Sequence, residues 1–288
     1  MNKKIVFDKS LLKQYLGFIL SPTFIGLVLF LFFIVIALIG KLIPMNLEPD
    51  YSQRFFGISW RHPLGTDYAG RDVLLLIFKG AFYVIFIALL TGFWATLIGF
   101  VLDIVAGYFG KFIDSLISRL IDIFLSVPSF PIMAILASVL KVNDIISFSF
   151  LLAIWSWPSL ASSIRAQTIS LKSKEFIIFY KIYDYPILYV IFSELLPLLL
   201  PIVLINFINI SRGAIVASVG IMVLGLVPLE INNWGMMINL AIGSTGAIYV
   251  PNAWPYLFAP IFFIILFQIS LVLLSYGIED LFDPRLKN

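Results

Sequence analysis

The amino-acid sequence predicts an all-α membrane protein with six transmembrane helices in one domain. Of its 288 residues, 61% are hydrophobic and only 12% are charged, whereas about a quarter of the residues in a soluble domain are charged. A soluble protein of this size still needs a hydrated surface, so the composition indicates membrane insertion. The chain has no cysteine, which excludes disulfides, thiolate chemistry and a cysteine-ligated zinc site.

Six apolar runs are long enough to cross a bilayer as helices, which takes about 20 residues. The first run is too long for a cleavable signal peptide, and no small-residue cleavage pattern follows it. We expect Pro128 and Pro131 to lie within the third helix. The fifth run is too long for a simple span, and we expect either a kink at Pro197 or Pro201 or a helix that continues past the bilayer. The predicted helices cover about 21–43, 80–105, 123–140, 146–164, 195–227 and 254–276.

The distribution of lysine and arginine predicts that both termini are cytoplasmic. With the N-terminus inside, twelve of these residues fall on the inner side and six on the outer side, and Arg212 lies within the fifth helix. Positive charge favours the cytoplasmic side of the cell (plasma or inner) membrane. We therefore predict a cytoplasmic segment, 1–20, and a transmembrane domain, 21–288. Its outer segments lie at about 44–75 and 228–253, and a cytoplasmic loop at about 172–190.

The sequence offers little for catalysis. His62 is the only histidine, and we expect it to form hydrogen bonds within an outer loop. There is no Gly-x-x-x-x-Gly-Lys-Ser/Thr phosphate-binding motif, and no group of residues has metal-ligand spacing. We therefore expect a chain that is not an enzyme and binds no metal. If ATP drives it, another chain hydrolyses the ATP.

The loop at about 172–190 is unusually aromatic for a segment between two membrane helices. Exposed apolar patches of this kind are typical of interaction sites, and charged residues are placed to form a rim around the patch. The alternative is a helix lying in the lipid interface, where tyrosine and lysine are also common. The apolar residues are Phe176, Ile177, Phe179, Tyr180, Ile182, Tyr183 and Tyr185, and the charged ones are Lys172, Lys174, Glu175, Lys181 and Asp184.

A polar motif, His62 to Val73, precedes the second predicted helix. Its Pro-x-Gly at 63–65 indicates a turn. Thr66 or Asp67 is suited to cap the helix that follows, and Asp67 and Arg71 are spaced to form an ion pair. On physical grounds alone, the motif predicts a well-capped helix start.

These motifs, in their order, resemble the C-type inner-membrane permease subunit of dipeptide and oligopeptide ABC importers. His-Pro-Leu-Gly-Thr-Asp followed by Gly-Arg-Asp-Val is similar to the hallmark of that family. The later matches are Ala106–Gly110, Asp114, Arg119, Asp122, Pro128-Ser129, Trp157-Pro158, Arg165, Gln167, Glu175-Phe176, Leu224–Leu226, Pro228, Trp234-Gly235, Asp280 and Asp283–Leu286.

The resemblance implies the type I ABC importer permease fold and a set of partners. A second homologous permease would complete the translocation pore, and an extracytoplasmic substrate-binding protein would deliver the solute. Two cytoplasmic ATPase subunits would use ATP, so this chain itself would bind no cofactor and no nucleic acid. The family carries peptides, oligosaccharides or metal chelates. The alternatives are a stand-alone secondary transporter or channel, which would need paired ion sites, and a structural scaffold.

The resemblance also suggests site residues, beginning with the ATPase-coupling loop. Ile178 stands where the family has a glutamate, aromatic residues replace two alanines, and Asp184 replaces a glycine. These changes imply an unusually shaped ATPase groove, or else weakened coupling that relies on the partner permease. The candidate coupling residues are Lys174, Glu175, Phe176, Ile178, Phe179, Tyr180, Lys181 and Asp184.

Other candidates lie in the fifth helix and on the outer face. Arg212 faces either a polar translocation path or neighbouring helices, and Ser218 stands where the family often has a glutamate; both are candidate pore-lining residues. Asp103 and Glu194 are expected to reach the membrane surface or to cap helices. Trp157, Trp234 and Trp254 are expected to be interface anchors. Candidate outer-face partner contacts are His62, Asp67, Arg71 and Trp234.

Overall fold

The chain folds into helices joined by short irregular segments, which confirms the all-α prediction. A computed structural model describes residues 21–44, 47–109, 111–227, 229–230 and 232–282. Across these residues there is no named β-strand, and only one isolated bridge pairs Thr66 with Asp72. The predicted cytoplasmic segment 1–20, Pro228 and the motif at 283–286 lie outside the described residues.

The α-helices are numbered in chain order. A helical turn, Ile187–Tyr189, and a π-helical stretch, Val190–Leu195, lead into α8. The helices are α1 (Pro22–Leu42), α2 (Val73–Phe109), α3 (Lys111–Ser126), α4 (Ser129–Val139), α5 (Ile145–Ser156), α6 (Pro158–Lys172), α7 (Glu175–Ile182), α8 (Leu196–Val223), α9 (Trp234–Asn239) and α10 (Trp254–Phe282).

Within the described ranges, four helices are long and apolar enough to cross a membrane: Pro22–Leu42, Val73–Gly107, Ile187–Val223 and Pro251–Phe282. The bent pair α3–α4 makes a fifth if it is counted as one span, and α5 is a shorter apolar helix. These helices correspond to the predicted runs and make this a multi-pass membrane protein. The count of six spans stays a prediction.

The third predicted helix, 123–140, is not a single straight span. Phe112–Ser126 and Ser129–Val139 meet at an angle of 86°, and Pro128 lies in the break. Proline lacks a backbone N–H and disfavours helical geometry at the residue before it, here Val127. The proline therefore divides this segment into two helices instead of lying inside one.

Proline also shapes the fourth and fifth predicted helices. The fourth run is divided into α5 and α6 at Trp157, directly before Pro158. In the fifth, the π-helical stretch Val190–Leu195 lies just before Pro197, whereas Pro201 is inside α8. A π-helical turn is a usual site of helix irregularity, so the departure from regular α-helix precedes Pro197.

The long helix α2 is the centre of the packing. It contacts α1, α5, α6 and α8, while α10 packs against α1 and α8. The buried apolar side chains form three clusters. The first joins α1, α2, α8, α9 and α10. The second joins the end of α2 to α3, α6, α7 and the start of α8, and the third joins α4, α5 and the end of α8. The second cluster packs α7 against the other helices.

Candidate functional site

The predicted coupling loop contains a short helix, α7, that follows α6 after a single turn. The carbonyl of Lys174 accepts hydrogen bonds from the backbone N–H groups of Ile177 and Ile178, both at 3.1 Å, and so starts the helix. Ile177 is only 3% exposed and belongs to the core formed with α3 and α6. One buried side chain therefore anchors α7 to the rest of the protein.

The remaining apolar side chains of α7 are mostly exposed. Phe179 is 49% exposed and Tyr183 is 64% exposed, with their ring centroids 4.4 Å apart. Lys174 and Glu175 are exposed beside them, as the predicted rim requires, while the side chain of Lys181 lies outside the described part. We call this the α7 surface; its apolar members are Phe176, Ile178, Phe179, Ile182 and Tyr183.

Tyr180 does not belong to the α7 surface, although the sequence predicted apolar groups all round the helix. Its hydroxyl donates a 2.7 Å hydrogen bond to Glu194 Oε1, and its ring packs against Tyr185 and Tyr189. The bond to Glu194 raises the pKa of Tyr180 to about 12. Of the two aromatics that replace the family's alanines, only Phe179 therefore faces outward.

Asp184 ends this helical segment in a left-handed backbone conformation, with φ of 52°. Just beyond it, the backbone N–H of Tyr185 donates to the carbonyl of Tyr180 at 3.0 Å. Glycine adopts this conformation without cost, and aspartate is among the few other residues that tolerate it. Asp184 thus adopts the left-handed conformation that a glycine at this position would favour.

Arg212 and Ser218, the two candidate pore-lining residues, have different surroundings. Arg212 is half-buried, and its guanidinium donates to Asn209 Oδ1 at 3.3 Å. Its backbone carbonyl accepts a bond from the amide of Gln268 in α10. Ser218 is buried and donates to the carbonyl of Ile215 in its own helix. Burial inside this chain gives the pore-lining prediction for Ser218 no support.

A cavity of about 460 Å³ adjoins the middle of α8. It lies between α8, the C-terminal end of α5 and the bend between α3 and α4. Its α8 wall includes Asn206, Asn209 and Gly213, and Trp155 and Ser129 lie on the opposite elements. The sequence gave no sign that these residues line one cavity, because their proximity depends on how α4, α5 and α8 pack against one another.

The outer motif is a compact loop whose polar groups bond to one another. Asp67 Oδ2 accepts from Arg71 Nε at 2.8 Å, which confirms the predicted pair. His62 contacts Asp72 Oδ2 and Gln53 Oε1, both at 2.9 Å. The helix cap is Asp72, whose Oδ1 accepts from the Leu75 backbone N–H. The predicted caps, Thr66 and Asp67, are wrong because both side chains bond within the loop.

Two predicted outer-face contacts are also wrong, because they are inside the protein. Trp234 is 0% exposed, and its indole Nε1 donates to the carbonyl of Ile77 at 3.0 Å. Asp67 is equally buried beneath Arg71. Trp157 is buried as well, so of the three predicted interface anchors only Trp254 is exposed. His62, like Arg71, is partly accessible.

Asp103 and Glu194 differ from the sequence prediction, which expected carboxylates at the membrane surface or at helix caps. Glu194 is the acceptor for Tyr180. Asp103 is 0% exposed, and neither of its carboxylate oxygens has a hydrogen-bond partner. Arg165 is the charged neighbour that acts on Asp103, but its guanidinium is bonded to Asp114 at 2.8 Å. Within the described ranges, no group of His, Asp or Glu is arranged to hold a metal ion.

Comparison with known proteins identifies the family of this helical arrangement. The family model of the binding-protein-dependent transport system inner membrane component matches residues 95–288. The chain is 32% identical over 277 residues to the dipeptide transport system permease protein DppC of Alkalihalophilus pseudofirmus, covering 92% of this chain and 86% of the relative.

Two proteins of Bacillus subtilis are similar over nearly the same length. The dipeptide transport system permease protein DppC is 28% identical over 265 residues, covering 91% of this chain and 81% of the relative. The oligopeptide transport system permease protein OppC is 27% identical over 269 residues, covering 91% and 85%. The family match extends over more than half of this sequence, and the chain therefore belongs to the binding-protein-dependent transport system inner membrane components, as its motifs predicted.

Proposed function

We propose that this chain is the permease subunit of an ABC importer for peptides and that α7 couples it to a cytoplasmic ATPase. The observation that carries the proposal is the α7 surface, an exposed apolar patch on a helix anchored by Ile177. Relatives that match most of the chain are named as dipeptide and oligopeptide permeases, which supports peptides as the solute class.

The importer would contain this chain, a second homologous permease, two ATPase subunits that use ATP, and an outer substrate-binding protein. The excess of lysine and arginine on one side supports cytoplasmic N- and C-termini, and α7 would then lie on the side of the ATPases. ATP binding would bring the ATPases together and move α7, and rigid-body rocking of helices would open the pore alternately to each side. The chain itself needs no cofactor for this role.

Phe179 is the side chain we expect to enter the ATPase groove. It replaces a small residue of the related sequences, it is half-exposed, and it stacks on Tyr183 rather than packing inward. Tyr180 is held by its own chain, so it adds no bulk at the contact. The groove therefore has to accommodate one additional aromatic ring rather than two.

Co-purification of the solubilised importer tests this proposal. Phe179→Asp places a charge in the apolar contact, and we expect it to lose the ATPase subunits while it retains the second permease. Tyr249→Asp is the matched control, since Tyr249 is 86% exposed on the outer side and should leave both partners bound. Recovery of neither partner with the unchanged chain would contradict the importer assembly. Full ATPase recovery with Phe179→Asp would contradict the role of α7.

A further inference from the structure

Two asparagines on one side of α8 face the cavity beside the bend of α3 and α4. Asn206 and Asn209 are three residues apart and so share a helix face, and both line the cavity of about 460 Å³. An amide buried in a membrane is costly unless it is hydrogen-bonded. Polar side chains inside membrane spans commonly mark the path of a transported solute.

These side chains keep unused hydrogen-bonding capacity. Asn206 Nδ2 donates to the carbonyl of Ile202 at 2.8 Å, which leaves its Oδ1 without a donor. Asn209 Oδ1 accepts from Arg212, which leaves its Nδ2 without an acceptor. Trp155 also lines the cavity, but its indole Nε1 is buried away from the open space. Within the described residues, the wall thus offers the Asn206 amide oxygen and the Asn209 amide nitrogen, which no protein group occupies.

The cavity is lined by uncharged side chains, and there is free space beside its α8 wall. Its lining contains no acidic or basic side chain, although the guanidinium of Arg212 bonds to the Asn209 amide that lines it. At Gly213, an added Cβ would meet no atom within 4 Å. A volume of about 460 Å³ lies within the usual range of ligand sites, roughly 300–1,000 Å³.

We propose that this cavity binds the main-chain amides of a peptide as it crosses the membrane, with Asn206 and Asn209 as the hydrogen-bonding residues. A peptide amide presents one donor and one acceptor, which matches the unused groups of the wall. A site that contacts the main chain accepts peptides of many sequences. The inference rests on the proposed importer function and specifies which part of the substrate is recognised.

A single introduced thiol tests this site, because the chain has no cysteine of its own. Gly213→Cys in the assembled importer, placed in lipid nanodiscs, is labelled with N-ethylmaleimide, and labelling of this chain is followed by mass spectrometry. We expect trialanine to slow labelling several-fold. Trialanine methylated on its peptide nitrogens, and maltotriose as a sugar control, should have little effect.

The Asn206→Leu/Asn209→Leu variant of the same protein should be labelled at the unprotected rate whether or not trialanine is present. Equal protection by the methylated peptide or by maltotriose would overturn the proposal, as would protection that survives in the leucine variant. A thiol that reacts in the isolated chain but not in the importer would show that the second permease fills the cavity, which also overturns it.

Uptake of trialanine by cells with and without this chain tests the importer function separately from the cavity proposal. If uptake depends on the chain but trialanine does not protect the thiol, the cavity proposal fails and the importer function stands. If uptake does not depend on the chain, the peptide-importer function itself fails.

Discussion

Tyr180 Oη donates a 2.7 Å hydrogen bond to Glu194 Oε1, and this contact joins α7 to the π-helical stretch that leads into α8. The rings of Tyr185 and Tyr189 pack beside it. We therefore expect a force applied to α7 to reach the start of the helix that carries Asn206, Asn209 and Arg212. The tyrosine in place of a small residue provides an internal connection within this subunit.

Tyr180→Phe should weaken the link between ATP hydrolysis and transport without dissociating the importer. The phenylalanine keeps the ring packing but cannot donate to Glu194. We expect fewer solute molecules transported per ATP hydrolysed, measured in proteoliposomes. Tyr249→Phe is the control, because Tyr249 is 86% exposed and lies outside the α7 surface. Equal coupling in the two variants would refute the role of the Tyr180–Glu194 bond.

The same contact predicts little pH dependence near neutrality. The hydrogen bond to Glu194 raises the pKa of Tyr180 from 10.0 to about 12. The bond therefore stabilises the protein fully below pH 10, and this stabilisation is lost as the pH rises through the folded-state pKa of Tyr180. The difference between the unchanged chain and Tyr180→Phe should therefore stay constant between about pH 7 and 9. A difference that varies over this range would indicate that another titrating group controls the contact.

Asp103→Asn should stabilise the protein, which is unusual for a buried polar residue. The carboxyl group is fully buried and neither oxygen has a partner in the described part of the chain, so folding must either desolvate its charge or neutralise it with a proton, and an amide avoids that cost. We expect an apparent melting temperature several degrees higher, at about 2–4 °C per kcal/mol. Asp114→Asn should do the opposite, because Asp114 is bonded to Arg165. A lower melting temperature for Asp103→Asn would show that Asp103 is paired in the populated state.

Gly80→Ala should destabilise the packing of α2 against the segment that precedes α9. The added Cβ would lie 2.0 Å from the carbonyl oxygen of Asn232 and 2.8 Å from Trp234 Cδ1, and overpacking of this kind costs about 1–3 kcal/mol. Gly213→Ala provides the matched control, since its Cβ meets nothing within 4 Å and alanine favours the helix by up to about 1 kcal/mol. Thermal unfolding of both variants in detergent tests this. An equal loss of melting temperature in the two variants would contradict close packing at Gly80 as the cause of the destabilisation.

Asp67→Asn should loosen the outer loop between α1 and α2. The carboxylate is fully buried and bonds to Arg71 and to the backbone N–H groups of Ala69 and Arg71, and breaking one partner of a buried ion pair costs about 3–5 kcal/mol. We expect faster cleavage of this loop by a protease added on the outer side. Asp50→Asn, an exposed substitution in the same loop, should leave the rate unchanged.

Local chemistry explains what sequence alone could predict. The free energy of moving an apolar run from water into lipid depends on the run's own residues, so α1, α2, α8 and α10 are evident from hydropathy. The positions of lysine and arginine predict the orientation. The Asp67–Arg71 pair is a four-residue contact and was also predictable. The family was evident from short motifs because their order is specific even where each motif is weak.

By itself, the sequence determined that this protein is helical, crosses the membrane several times and belongs to an importer permease family. The tertiary structure decided which side chains are accessible: Trp234 is buried against Ile77, 157 residues away, Tyr180 turns inward to Glu194, and Trp155 lines the same cavity as two asparagines of α8. Hydropathy measures the cost of each residue in lipid, but it carries no information about which helix covers each face. That choice is made by packing between segments that are distant in the sequence.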